Sequence, residues 1–180
     1  IMEATVAAMP KYKGILYGQF MLTSDGPKVI EYNARFGDPE AMNTLPVLDT
    51  PFLDVLTAAR DGEALPELDF SGEATVCKYA VPAGYPTDPD AGAKIEVDEE
   101  TVGEGLLFYA SVDERDDGLY TTTSRSFAVV GLADSIGAAE EIAEDALSAA
   151  GEGLRIRHDV GKADLVQQRV DHMTELRGDD

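Results

Sequence analysis

A chain of 180 residues with 44% hydrophobic side chains can bury the core of one ordinary domain or two small ones. It carries 35 acidic against 14 basic residues, a net charge of −21 and a pI of about 4.2, a field that repels nucleic acid and anionic membrane surfaces. No apolar run reaches the roughly eighteen residues of a membrane span, no amino-terminal pattern reads as a signal peptide, and the single Cys77 excludes an internal disulfide. The expectation is a globular cytoplasmic protein. Its acids are scattered, as at Glu140, Glu141, Glu144 and Asp145 on one helical segment, which suits a whole-surface adaptation to a salt-rich, halophilic cytoplasm.

In chain order, Ile1–Met9 spaces apolar residues as a helix does. Two β-rich runs, Gly14–Leu22 and Lys28–Phe36, flank Thr23-Ser-Asp-Gly-Pro27 and predict an antiparallel hairpin. Asp49–Arg60 reads as a helix, with Thr50 as cap, Pro51 at the first position and Asp61-Gly62 as its stop. The aperiodic stretch Glu63–Gly72 is a connection, so residues 1–63 and 64–180 are expected to be separate domains. Beyond it, β-like runs at 74–81, 94–97, 106–112, 119–123 and 126–130 predict a small antiparallel sheet, with Cys77 a small core residue of the first run. A helix over 134–150 follows, with Ile136, Ala139, Ile142, Ala146 and Ala150 near one face, and a last helix runs from about Ala163 to Leu176. The fold class is α+β.

Chemistry concentrates in the second run of the hairpin. Side chains alternate along a strand, so Glu31, Asn33 and Arg35 are expected on one face and Ile30, Tyr32 and Ala34 on the other. Glu31 offers an anionic oxygen and Asn33 a neutral one to a hard cation such as Mg²⁺, which keeps phosphate oxygens and waters as its other ligands. Arg35 suits a phosphoryl group through charge-assisted hydrogen bonds. Gln19, on the partner strand, can add a second neutral oxygen. A solvated strand face on which Glu31 and Arg35 pair fits the same spacing. With two histidines and one cysteine, a zinc site is not expected. Arg155, Arg157 and His158 form a basic patch whose plainer reading is pairing with nearby acids.

The stretch Gly14–Glu40, closing on Arg35-Phe-Gly-Asp-Pro-Glu40, resembles the end of the ATP-grasp domain of the phosphoribosylamine–glycine ligase family. Ala83-Gly-Tyr-Pro86, Thr123-Ser-Arg-Ser126 and Arg155-Ile-Arg-His-Asp-Val-Gly161 are similar to later parts of those enzymes. The resemblance implies the end of an ATP-grasp domain followed by a small antiparallel-sheet domain with helices. It implies that Glu31 and Asn33 hold Mg²⁺ or Mn²⁺ against ATP phosphates, that Gln19 lies where relatives carry a metal-binding Glu, and that Arg35 lies near the transferring phosphate. It places Asp38 and Glu40 at the substrates and Arg125 near the nucleotide cleft. The implied reaction joins glycine to 5-phosphoribosylamine at the expense of ATP, in purine biosynthesis, with small molecules as its partners. The lysines and glycine-rich loop that cover the triphosphate in that family are not in this sequence, which reads as an incomplete piece that does not turn over alone. Two alternatives stand: another ATP-grasp carboxylate–amine ligase, and a non-catalytic acidic module that binds cations or a basic partner.

Overall fold

The computed structural model describes residues 1–178, and their packing separates two units, residues 1–71 with the carboxy-terminal segment from Val170, and residues 72–169.

The first unit opens with α1 (Met2–Ala7) and the hairpin of β1 (Tyr17–Thr23) and β2 (Gly26–Asn33). The strands pair antiparallel, Tyr17 opposite Asn33 and Gln19 opposite Glu31, and Gly26 in the turn has a φ of 89°, which glycine tolerates best. A bulge follows Gln19, since Phe20 next pairs with Val29 and leaves Ile30 as the extra residue. One hairpin face meets α1: Tyr32 packs edge-on against Phe20, with ring centres 6.1 Å apart, and its hydroxyl lies 2.9 Å from Thr5 Oγ1. Ile30 and Tyr32 remain 50% and 40% exposed, so this face is less covered than alternation implies. Chain order continues with α2 (Glu40–Thr44), a short 3₁₀ turn at Leu45–Val47 and α3 (Phe52–Asp61). Helix α3 stops at Gly62 in the left-handed conformation, as the sequence predicts. Its cap differs: Thr50 Oγ1 accepts from Asp69 N at 2.8 Å instead of capping the helix, tying down the stretch after α3.

The second unit is built on a four-stranded antiparallel sheet in the order β5 (Leu106–Tyr109), β8 (Phe127–Ala133), β3 (Ala74–Pro82), β9 (Leu154–Ile156). A three-stranded sheet is ordered β4 (Lys94–Ile95), β7 (Gly118–Thr121), β6 (Val112–Arg115). The run expected at 106–112 is therefore two strands, in different sheets, and β9 had no signal beyond three residues of weak alternation. Helix α4 (Ile136–Ala146), capped by Ser135 through Ala138 N, lies on β3 and β8. It turns Ala139, Ala143 and Ala146 inward onto Val76, Ala80, Phe127 and Val129, while Ile136 is 45% exposed. The small residues are the reason: at Gly131 of β8 an added Cβ would strike the Ala139 carbonyl oxygen, so helix backbone touches sheet backbone and no larger face fits. Burying Phe127 alone stabilises by roughly 1.5–3 kcal/mol. Helix α5 (Ala163–Arg177) is the last described element. Cys77 lies on the opposite face of β3 from this core and is half-buried, because Val76, Lys78 and Ala80 take the inward positions. Among the described residues no helix is long and apolar enough to cross a membrane.

Candidate cation and phosphate site

Opposed residues of an antiparallel pair project from the same side, so the register places Tyr17 and Gln19 of β1 beside Asn33 and Glu31 of β2 on one hairpin face. Asn33 Nδ2 donates to Glu31 Oε1 at 2.8 Å. That contact spends the amide nitrogen, leaving the Asn33 carbonyl oxygen and the second Glu31 oxygen as hard donors, with the Gln19 carboxamide across the ladder. Glu31 and Gln19 are exposed and Asn33 is half-buried, so a ligand has access.

Strand β2 ends at Asn33, and Ala34-Arg35 form a bend. Arg35 therefore does not continue the alternation, and its guanidinium donates to the Phe36 carbonyl at 2.7 Å. It still lies within electrostatic reach of the face, where its charge acts on Tyr17. Phe36 anchors the turn against Phe52 of α3, ring centres 5.7 Å apart. Gly37 is buried, the Asp38–Pro39 peptide is cis, and Glu40 begins α2. Asp38 is exposed at this turn, whereas Glu40 is brought back to the hairpin: the Tyr17 hydroxyl donates to Glu40 Oε1 at 2.9 Å. The Tyr17 hydroxyl is held above the usual tyrosine range by that bond first, then by burial and by the charges of Glu40 and Glu31, with Arg35 opposing. Gln19, Glu31, Asn33 and Glu40 thus share a neighbourhood that Arg35 borders. Tyr17 has no signal in sequence beyond its register opposite Asn33.

The donor set is hard oxygen from one carboxylate and two carboxamides, the chemistry that suits a hard divalent cation completed by phosphate and water. Among the described residues no group of three or more His, Cys, Asp or Glu forms a self-sufficient metal cage.

A second charged cluster lies in the other unit. Lys78, at an inward position of β3 and 1% exposed, places Nζ 2.5 Å from Glu140 Oε1 and 2.5 Å from Glu144 Oε2, and donates to the His158 carbonyl at 3.0 Å. An ammonium has three donors, and all are used. His158 Nδ1 lies 2.6 Å from Glu144, and Lys162 pairs with Glu140 at 2.8 Å. Glu140 is 4% exposed, so one acid expected on the surface is buried. The basic patch finds protein partners: Arg157 grips Asp159 through two bonds of 2.5 Å, and Arg155 donates to the Tyr85 carbonyl. Arg125 lies over the Tyr79 ring, 4.5 Å from its centre.

Comparison with known proteins matches residues 1–41 to the model of the phosphoribosylglycinamide synthetase ATP-grasp (A) domain, and residues 75–163 to that of the phosphoribosylglycinamide synthetase C domain. These two matches give the class: part of an ATP-grasp domain, followed by a C domain within an α+β fold. Phosphoribosylamine–glycine ligase of Methanococcoides burtonii is 54% identical, with 98% of this chain and 42% of the relative aligned. Its counterpart in Methanosarcina barkeri is 51% identical over 99% of this chain and 42% of its own length. The crystal structure of phosphoribosylamine–glycine ligase from Thermotoga maritima superposes with a TM-score of 0.67 at 28% identity, over 80% of this chain and 36% of that one. The chain belongs to the phosphoribosylglycinamide synthetase family, and it spans about two fifths of the length of these curated relatives.

Proposed function

We propose that the protein to which this chain contributes ligates glycine to 5-phosphoribosylamine, giving glycinamide ribonucleotide, ADP and phosphate, in purine biosynthesis. The observation that carries the reading is the Gln19–Glu31–Asn33 face, within a sequence about half identical to curated ligases throughout. Residues 1–63 would close the ATP-grasp domain and 64–180 would form the C domain.

Gln19, Glu31 and Asn33 would hold Mg²⁺ or Mn²⁺, which when bound neutralises ATP phosphate charge. Asn33 orients Glu31 through their mutual bond, keeping the carboxylate on the face. Arg35, at the border of the face, would take the charge of the transferring phosphoryl group once its guanidinium leaves the Phe36 carbonyl. Asp38 and Glu40 would line the substrate side. Attack of the glycine carboxylate on the γ-phosphorus gives an acyl phosphate and ADP. The amine of phosphoribosylamine then attacks the acyl carbon, expelling phosphate and losing a proton, so no protein nucleophile is needed. Positioning and charge complementarity supply the catalysis. Small acids and amines as substrates, and an acidic surface that disfavours nucleic acid, agree with a cytoplasmic setting of high ionic strength.

The complete natural polypeptide should release phosphate only when ATP, glycine and phosphoribosylamine are all present. Phosphate release with a different acid in place of glycine would point to another carboxylate–amine ligase, and no nucleotide binding at all would leave the non-catalytic acidic module.

A further inference from the structure

Tyr17 stands on β1 directly opposite Asn33, which puts their Cα atoms about 4.5–5.5 Å apart. From there its hydroxyl reaches forward to Glu40 Oε1 at 2.9 Å, joining the hairpin to the first residue of α2. Buried Gly37 leaves the room for this: an added Cβ would strike Glu40 Oε2 and come within 3.1 Å of Tyr17 Cδ2. The first turn of α2 is fixed by Ala41 N to the Gly37 carbonyl at 3.1 Å and by Thr44 Oγ1 to the Glu40 carbonyl at 2.9 Å. The Glu40 carboxylate is therefore located by a phenol donor and by the space over Gly37, where an added Cβ would push it aside. It comes to the cation face from a different element than Glu31 and Asn33.

An amino acid that presents its carboxylate to a phosphoryl group at the Glu31–Asn33 face carries an ammonium one carbon away. That ammonium needs a fixed anion close to the face, supplied by a group that is not itself spent on the cation. A carboxylate has about four lone-pair sites, and the phenol occupies one. We propose that Glu40 is the receptor for the substrate ammonium and that Tyr17 is its positioning residue, a claim that rests on the ligase reading above. Tyr17 holds the carboxylate in its bound orientation before substrate arrives, so little ordering remains to be done on binding.

The test is steady-state kinetics of the complete natural polypeptide bearing Tyr17→Phe, Glu40→Gln or Gly37→Ala, with ATP, glycine and phosphoribosylamine varied in turn. Loss of one hydrogen bond to a charged group should raise the KM for glycine about tenfold in Tyr17→Phe, and loss of the charge about a hundredfold in Glu40→Gln, with Gly37→Ala between them. The KM for ATP should stay within about twofold, a split that a merely structural role would not produce. If Tyr17→Phe fails to fold, Glu40→Gln carries the test alone, since it keeps the ring, the glycine gap and the side-chain shape. An active unaltered enzyme whose variants leave the glycine KM unmoved, or raise both KM values together, overturns the proposal and spares the ligase reading. An unaltered enzyme that forms no glycinamide ribonucleotide overturns both.

Discussion

Glu31 on β2 and Lys78 on β3 are both charged side chains at alternating strand positions, yet their surroundings are opposite. Glu31 is exposed and has one side-chain partner, the Asn33 amide, with an oxygen to spare. Lys78 is buried and has spent every donor on Glu140, Glu144 and the His158 carbonyl. A charge left accessible with spare lone pairs is open to a ligand. A charge saturated by its own protein locks segments together: here the sheet, α4 and the turn from Arg157 to Lys162. Burial of such a cluster is weak evidence for net stability, because removing ions from water costs several kcal/mol each, but breaking it is severe.

The largest break should come from Lys78→Met. Glu140 keeps Lys162, yet a buried carboxylate loses its interior partner, and urea denaturation should show a loss of about 3 kcal/mol. Adding Glu140→Leu should recover most of it, since an apolar pair of similar volume needs no ionic partner; a double variant as unstable as the single one would show that the ions themselves are required.

Acid gives a smaller effect on the same cluster. Burial pushes the Glu140 carboxyl up, but hydrogen bonds from Lys162 and Lys78 outweigh it, and at Glu144 burial is outweighed by Lys78 and His158, so both are held below the usual carboxylate range. With folded values depressed, the unfolded chain binds more protons in acid. Their contribution is therefore complete above the unfolded value of 4.5 and is lost as pH falls through the folded values. The urea midpoint should drop on going from about pH 5 to about pH 3, and Lys78→Met should flatten that drop. The smallest effect belongs to Arg157→Ala: its bidentate partner Asp159 is held down at about 2, but both groups stand in solvent, and the urea midpoint should not move measurably.

Much of the first region was legible because its information is local. The Ser-Asp-Gly-Pro turn sets the hairpin, the hairpin sets which side chains share a face, and the Arg35–Glu40 string names the family. Alternation failed at Arg35 because the chain bends after Asn33, and only three-dimensional structure shows the bond from Tyr17 to Glu40. The second region was far less legible. Lys78 sits in the run Val76-Cys-Lys-Tyr-Ala80, and its position fits an inward or an outward face equally well until the sheet decides. Its carboxylate partners lie 62 and 66 residues away. Choosing Ile136 for the buried face of α4 missed the close approach at Gly131, which admits alanines and excludes isoleucine. The three-residue strand β9 is defined by its pairing with β3 and carries almost no pattern of its own.

The most direct test of the cation face is Mn²⁺ binding in the presence of ATP, followed by electron paramagnetic resonance on the complete natural polypeptide and its Glu31→Gln variant. Glu31→Gln keeps the shape and removes the anionic oxygen, so the unaltered protein should hold the Mn²⁺–ATP signal and the variant should weaken it at least tenfold, with phosphate release falling in parallel. Equal Mn²⁺–ATP affinity in the two proteins would contradict the assignment of the Gln19–Glu31–Asn33 face.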